Sequence, residues 1–131
     1  MIPASDLRKI AKARLTDATV LLAARRYDGA VYLCGYAVEL KLKARICRTL
    51  KWTGFPSSGG EFSDYRSFKT HDLDVLLHLS GLEGKIKPAF LTEWSIVSQW
   101  NPESRYQAIG SVSASDASTM INSTRTLVAQ I

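Results

Sequence analysis

Apolar residues recur at steps of three and four along most of this chain, which is the spacing of an amphipathic α-helix. The first stripe predicts a helix from about Asp6 to Arg26, with Ser5 as its N-cap. Residues 27–29 interrupt the stripe, and within them Asp28 is positioned to cap the next helix. A connection this short predicts that the first two helices are antiparallel neighbours.

The second predicted helix extends from about Asp28 to Leu50, and its two halves differ. The first half is apolar on nearly every face, as expected for a helix packed on several sides. Gly35 lies inside this half. Because an interior glycine costs about 1 kcal/mol relative to alanine, it indicates a close approach of another helix. The second half alternates apolar with basic residues, which predicts partial exposure.

The segment after this helix has no visible period. Residues 51–70 are rich in Gly, Ser and Pro and contain several aromatic residues, which predicts a long loop with parts that pack. A third helix is expected to begin at Thr70 or His71. Its end is predicted at Gly81 or Gly84, because glycine commonly follows the last helical turn.

Two more helices complete the predicted fold. The fourth has Pro88 in its first turn, where a missing backbone N–H is tolerated. The last begins with a capping box of Ser113 and Asp116 and continues with a regular apolar stripe. No stretch alternates in the way of a β-strand. The chain is therefore predicted to be all-α, an up-and-down bundle of about five helices.

Length and composition limit the class of protein. The 131 residues are close to the commonest domain size, so residues 1–131 are expected to form a single helical domain. No stretch approaches about 18 uncharged apolar residues, so no membrane contact is predicted. The N-terminal residues lack the apolar core of a signal peptide, which favours a cytoplasmic protein.

The basic residues are concentrated at one end of the sequence. The net charge is +5, and residues 1–51 contain 11 Lys and Arg against 4 Asp and Glu. A one-sided basic surface attracts phosphates, although such a surface also keeps a small protein in solution. In the second helix the candidate basic surface consists of Lys41, Lys43, Arg45 and Arg48.

Glu39 is the one acidic residue in the apolar part of the second helix. A buried carboxylate is costly unless it is paired, and Lys43 follows one helical turn later. Tyr32 and Tyr36 lie on the same edge of the helix as Glu39. These residues form either a structural ion pair with a hydrogen-bond cluster or a polar patch that binds a ligand.

Arg66 and His71 are the strongest candidates for chemistry. A guanidinium and an imidazole in one pocket suit RNA cleavage without a metal. The imidazole exchanges a proton near neutral pH, and the guanidinium stabilises negative charge on the phosphate. The alternative is that Arg66 is a solvated loop residue and that His71 helps to cap the third helix.

Arg105 and Tyr106 form a basic–aromatic pair that can hold a phosphate and stack on a base, or a plain surface pair. His71 and His78 lack the spacing and acidic partners of a standard metal site, so no metal is predicted. No Gly-rich phosphate loop is present, and no cofactor is expected.

Several segments of the chain resemble the HEPN family, which consists of small helical domains. The similar segments are the two helices of residues 13–46 with their junction at 27–29 and the run GYAVE at 35–39, the segment THDLDVLL at 70–77, and the pair Arg105-Tyr106. They cover most of the chain in the expected order.

The HEPN resemblance implies a helical bundle that forms a homodimer through its long helices. Many HEPN proteins are metal-independent RNases, often toxins that are paired with a small nucleotidyltransferase antitoxin. These enzymes use an Arg followed after four to six residues by a His, and Arg66 and His71 satisfy that spacing. In the RNases the motif usually belongs to a helix, whereas here it spans a loop and the predicted start of a helix.

The other HEPN class lacks the motif and binds nucleotides, RNA or a partner protein. This sequence resembles that class more closely, so we favour a binding module, associated with a nucleotidyltransferase in a toxin–antitoxin-like system. The implied ligand-binding residues are Tyr36, Glu39, Lys43, Arg105 and Tyr106, with Lys41, Arg45 and Arg48 as a basic surface. The alternatives are an RNase that acts through Arg66 and His71, and a structural dimerisation module.

Overall fold

A computed structural model describes residues 1–131. The elements in chain order are β1 (Ile2–Pro3), α1 (Ala4–Ala23), α2 (Tyr27–Leu50), β2 (Gly54–Phe55), α3 (Leu73–Ser80), α4 (Glu83–Ala89), α5 (Leu91–Val97) and α6 (Ala114–Gln130). Two short 3₁₀ turns cover Arg66–Phe68 and Pro102–Tyr106. The predicted all-α fold is confirmed, with six helices where about five were expected. None of the helices is both long and apolar enough to cross a bilayer.

The turn between α1 and α2 lies three residues earlier than predicted. The break is at residues 24–26, where Arg25 has a left-handed backbone with φ of 61°. Residues 27–29 instead belong to the first turn of α2. Asp28 is therefore not the cap of α2, and the prediction that it caps this helix was wrong. Its carboxylate accepts hydrogen bonds from the backbone N–H groups of Gly110 (2.7 Å) and Val112 (3.1 Å).

The start of α1 also differs from the prediction. Ser5 is already inside the helix, and Pro3 occupies the N-cap position without a side-chain hydrogen bond. Pro3 lies there because β1 pairs antiparallel with β2, so that Ile2 is opposite Phe55. The expectation of no strand pairing was wrong for these few residues. Their alternation is too short to be visible in the sequence.

α2 is the axis of the bundle, as predicted. It packs along α1 and also contacts α3 and α6. Its core-facing residues are fully buried, among them Cys34, Val38 and Leu42. Gly35 lies directly against the indole ring of Trp100, so a side chain at position 35 would overlap that ring. The close approach that Gly35 predicted is therefore made by a tryptophan from the loop that follows α5.

The predicted loop of residues 51–70 is packed around aromatic side chains. Trp52 contacts Phe55, Tyr65 and Phe68, with ring centroids 5.0 to 6.3 Å apart. Phe62 packs edge-on against Phe55. This aromatic cluster fixes the path of the chain from the end of α2 to the start of α3.

The third predicted helix begins at Leu73, two or three residues later than the expected start at His71 or Thr70. Asp72 is its N-cap, because its carboxylate accepts from the backbone N–H groups of Asp74 and Val75. Gly81 ends the helix in a left-handed conformation, as one of the predicted alternatives required. His71 is thus outside the helix, and its side chain is directed towards α2.

The fourth predicted helix corresponds to α5, and α4, which lies before it, was not predicted; the two are separated at Phe90, whose φ of −130° departs from helical geometry. Pro88 is near the end of α4 and not in a first turn, which corrects the prediction. At α6 the predicted cap is confirmed, since the Ser113 hydroxyl accepts from the backbone N–H of Asp116 at 3.0 Å.

Candidate functional site

Glu39 is the centre of the candidate site. Its side chain is only 3% exposed, although it is a carboxylate in the middle of α2. One oxygen accepts from Lys43 Nζ at 3.2 Å, one turn along the same helix. The other oxygen lies 2.7 Å from Nδ1 of His71. Both oxygens therefore have partners, which offsets the cost of burying the charge.

The chain before α3 places His71 against Glu39. Phe68 is anchored in the aromatic cluster with Trp52 and Tyr65. Thr70 and Asp72 then make a tight turn, in which the Thr70 hydroxyl accepts from the backbone N–H of Asp72 at 3.0 Å. The helix cap at Asp72 and the aromatic anchor at Phe68 thus fix the segment on both sides of His71.

The contact with Glu39 defines how His71 can act. A carboxylate only accepts hydrogen bonds, so Nδ1 of His71 carries the hydrogen in this contact. The His71 side chain is 60% exposed, which leaves the other ring nitrogen, Nε2, for an external group. An imidazole oriented in this way can accept or donate a proton at Nε2.

Two tyrosines continue the polar face of α2 beyond Glu39. The hydroxyls of Tyr32 and Tyr36 share a hydrogen bond at 3.4 Å, and the two rings pack edge to face. This hydrogen bond and burial raise the pKa of Tyr36 to about 12, so Tyr36 is a neutral phenol at neutral pH. The indole of Trp100 packs edge-on against Tyr36 and donates to the backbone carbonyl of Tyr32.

Arg105 and Tyr106 extend the same face from the loop before α6. The guanidinium of Arg105 is stacked over the Tyr106 ring, 4.6 Å from its centroid. The side chains of Tyr106 and Tyr32 raise the pKa of Arg105, which stays a cation. The positive charge of Arg105 in turn lowers the pKa of Tyr36, while the negative charge of Glu39 raises it.

All five predicted ligand-binding residues therefore lie along one edge of the bundle, together with His71. We call this edge the α2 strip. It consists of Lys43, Glu39, His71, Tyr36, Tyr32, Arg105 and Tyr106. The strip has a cation at each end and aromatic rings between them.

Two depressions have His71 in their walls. One has a volume of about 390 Å³ and is lined by Trp100, Asn101 and Arg105 and by three carboxylates, Asp72, Asp74 and Glu103. The other has a volume of about 420 Å³ and is lined by Lys43, Lys69 and the apolar side chains of Leu40, Phe55 and Phe62, among others. His71 contributes to the walls of both.

Within one chain, Arg66 belongs neither to the α2 strip nor to the depressions beside His71. It begins the short 3₁₀ turn Arg66–Phe68 and is exposed. Its side chain forms no hydrogen bond or ion pair, and it lines neither of the depressions that His71 lines. A joint action of Arg66 and His71 stays a prediction.

The candidate basic surface of α2 is divided between two sides of the helix. At about 100° per residue, Lys41, Arg45 and Arg48 project roughly opposite to Lys43. Lys43 belongs to the α2 strip, whereas of the other three Lys41 and Arg45 are half-buried and Arg48 is exposed. We call Lys41, Arg45 and Arg48 the basic shoulder.

The sequence did not reveal Trp100, Lys69 or the contact between His71 and Glu39 as parts of the site. A signal for the contact exists, because a glutamate in an apolar helix needs more than one partner when it is fully buried. Lys43 accounts for only one of its oxygens. The second partner is 32 residues away along the chain, and only the packed fold identifies it as His71.

The fold and the site define a small helical bundle with a buried carboxylate that is paired to a histidine and a lysine. Residues 4–54, which include α1 and α2, match the family described as HEPN domain. The predicted HEPN resemblance is confirmed over these residues, and the bundle is HEPN-like. No curated protein and no solved structure matches the chain significantly. The family is associated with nucleotide or RNA binding or with RNase activity.

Proposed function

We propose that residues 1–131 form one HEPN-type domain that binds single-stranded RNA or nucleotides along the α2 strip. The observation that carries this proposal is the alignment of Lys43, His71 and Arg105 on one edge of the bundle. Cations placed along a groove hold the phosphates of a nucleic acid, and aromatic rings between them stack on its bases. Tyr106, which is 74% exposed, provides such a ring beside the Arg105 cation.

The competing surface for RNA is the basic shoulder, which is why the test compares the two sides of α2. Binding of a single-stranded RNA is measured at several salt concentrations with the wild type, with Arg105→Ala, and with the triple variant Lys41→Ala, Arg45→Ala, Arg48→Ala. Loss of a phosphate contact is expected to reduce the slope of log affinity against log salt by about 1.

We expect Arg105→Ala to weaken RNA binding and to lower the salt slope, and Tyr106→Ala to weaken binding without changing the slope. The triple variant is expected to retain most of the affinity, because its three cations face away from the strip. The opposite result, with binding lost only in the triple variant, would overturn the assignment to the α2 strip.

RNA cleavage is the second candidate function, favoured by one specific observation. The 2.7 Å contact of His71 with Glu39 orients the imidazole and leaves Nε2 open, as general acid–base catalysis requires. In this mechanism His71 transfers the proton, and Glu39 holds the His71 imidazole in position. Because Arg66 lines neither depression beside His71, stabilisation of the phosphate would fall to Lys43, Arg105 or an Arg66 from a second copy.

Incubation of RNA with the protein in EDTA tests this candidate. A nuclease of this kind is expected to cut RNA without metal and to lose activity in His71→Ala. His78→Ala is the matched control, because His78 also contacts a glutamate, Glu83, at 2.8 Å but on the open surface. Absence of cleavage by the wild type would exclude the RNase.

HEPN domains often dimerise. The proposal therefore includes a homodimer, which light scattering on the purified protein would detect. A nucleotidyltransferase as partner rests on the family resemblance alone. Co-purification of the chain with the product of a neighbouring nucleotidyltransferase gene is the direct test of that partner.

A further inference from the structure

The two depressions beside His71 differ sharply in charge. The depression on the Arg105 side is lined by three carboxylates and one guanidinium. No carboxylate lines the depression on the Lys43 side, which we call the Lys69 pocket; the nearest ones are Glu39, behind Lys43 and His71, and Glu61, which accepts from the backbone of Ser57. A phosphate is repelled by carboxylates and attracted by ammonium groups, so the two depressions cannot be equivalent for a nucleotide.

The Lys69 pocket combines a cationic mouth with an apolar floor. Lys43, Lys69 and His71 provide the polar groups, together with the hydroxyl-bearing Ser57 and Thr70. The floor consists of Ile2, Leu7, Leu40, Phe55, Pro56 and Phe62. Its volume of about 420 Å³ is within the range of pockets that hold small molecules.

The two lysines of the pocket, Lys43 and Lys69, differ in whether an acidic side chain is paired with them. Lys43 shares the charge of Glu39 at 3.2 Å and lies over the Phe55 ring, 5.3 Å from its centroid. Lys69 is exposed and forms no ion pair with any acidic side chain. The charge of Lys69 is therefore available for an anion that enters the pocket.

From this difference we infer that the Lys69 pocket binds the phosphate monoester of a nucleotide, either free or at the end of an RNA strand. Lys69, Lys43 and the protonated imidazole of His71, which donates from Nε2 while Nδ1 donates to Glu39, hold the phosphate, and the apolar floor accepts the adjoining sugar. A terminal phosphate carries more negative charge than an internal one, which favours it at a site with several donors. This inference rests on the proposed RNA and nucleotide binding and specifies which end of the α2 strip takes the terminal phosphate monoester.

Titration calorimetry of the full chain with adenosine 5′-monophosphate and with adenosine tests the pocket. The monophosphate is expected to bind at least roughly 5-fold more tightly than the nucleoside. Lys69→Ala is expected to remove most of that difference, and Lys69→Glu to remove all of it. Because Lys69 is exposed, neither variant should disturb the fold. Lys12→Ala, which removes an exposed cation of α1, is the control.

A second pair of ligands separates failure of the pocket from failure of the proposed function. The same RNA oligonucleotide is titrated with a 5′-phosphate, with a 3′-phosphate and with hydroxyl groups at both ends. Tighter binding of one phosphorylated form, abolished by Lys69→Glu and kept in Lys12→Ala, supports the pocket.

Equal affinity of all three RNAs and equal affinity of the nucleoside and its monophosphate would overturn the pocket while leaving RNA binding intact. The pocket would also be overturned if Lys12→Ala reduced the preference for phosphorylated ligands as much as Lys69→Ala does. That preference would then come from the overall charge of the protein. Monophosphate binding that depends on Lys69, without any RNA binding, would support the pocket and overturn the RNA function.

Discussion

Nδ1 of His71 lies 2.7 Å from a carboxylate oxygen of Glu39, which is 32 residues earlier in the chain. A second contact of the same type is present on the surface, where Nδ1 of His78 lies 2.8 Å from Glu83. In both cases a lysine one helical turn after the glutamate completes the group, Lys43 in the first and Lys87 in the second. The two groups differ mainly in the burial of the glutamate, and they therefore serve as internal controls for each other.

Glu39→Gln is expected to lower the free energy of unfolding by about 1 to 2 kcal/mol. The reason is that the substitution removes a buried charge that partners both Lys43 and His71. Glu83→Gln is expected to leave the stability nearly unchanged, because Glu83 is 39% exposed and water replaces its partners. Urea denaturation of both variants measures the difference, and equal effects would contradict a special role for the buried pair.

Gly35→Ala is expected to destabilise the protein by about 2 kcal/mol or more. Alanine favours a helix, but a methyl group at position 35 would overlap the indole of Trp100 and force it to move. Gly84→Ala is the matched control, because Gly84 is also helical and nothing lies near its missing side chain. That substitution is expected to stabilise the fold by about 0.5 to 1 kcal/mol.

The tryptophan fluorescence of the Gly35→Ala variant provides a second measurement, which reports the displacement of Trp100. Since Trp100 packs on Tyr36 within the α2 strip, its displacement should also weaken RNA binding. An unchanged melting temperature for Gly35→Ala would contradict the direct contact between Gly35 and Trp100.

Asp28→Ala is expected to release the loop before α6. Its carboxylate accepts hydrogen bonds from the backbone N–H groups of Gly110 and Val112, and no other side chain replaces it. Hydrogen exchange at these two amides should become faster, and the stability should fall by about 1 to 2 kcal/mol. Asp17→Ala, which removes an exposed pair with Arg14, is the control and should change neither. Slow exchange at Gly110 in Asp28→Ala would refute the anchoring role.

The thiol of Cys34 predicts a loss of stability at alkaline pH. Burial raises its pKa from 9.0 to about 11 in the folded chain, against smaller opposing effects of Thr124 and Arg125. A raised thiol pKa means that the folded state retains a proton which the unfolded state releases. The resulting stabilisation is present below about pH 9 and is lost as the pH rises towards 11.

This loss amounts to about 3 kcal/mol for a shift of two pKa units. It is measured as the difference between wild type and Cys34→Ala in urea denaturation from pH 8 to pH 11. Cys34 should also react slowly with iodoacetamide at pH 8 in the native protein and rapidly in urea. Identical pH profiles for the two proteins would be inconsistent with the raised pKa.

Local patterns in the sequence were sufficient to predict the helices that have a regular apolar stripe or a clear capping residue. The apolar stripes predict α1, α2 and α6, and Ser113 and Gly81 mark helix ends because capping depends only on residues a few positions away. The position of Lys43 on a different side of α2 from Lys41, Arg45 and Arg48 could also be predicted from the sequence, since it follows from the period of the helix.

The other features depend on residues that are distant in the chain. Asp28 looked like a helix cap because its partners, Gly110 and Val112, lie more than eighty residues later. Glu39 predicted a partner from the cost of its burial, but the identity of His71 required the fold.

Hydrophobic periodicity therefore determined the helices and the buried axis of this protein, because each helix is stabilised by side chains one turn apart. The arrangement of the site was decided by tertiary packing. Trp100 against Gly35, the aromatic cluster around Trp52 and the cap at Asp72 bring α2 and the segment around His71 together. No short-range pattern encodes such contacts, because their free energy is gained only when the whole bundle has closed.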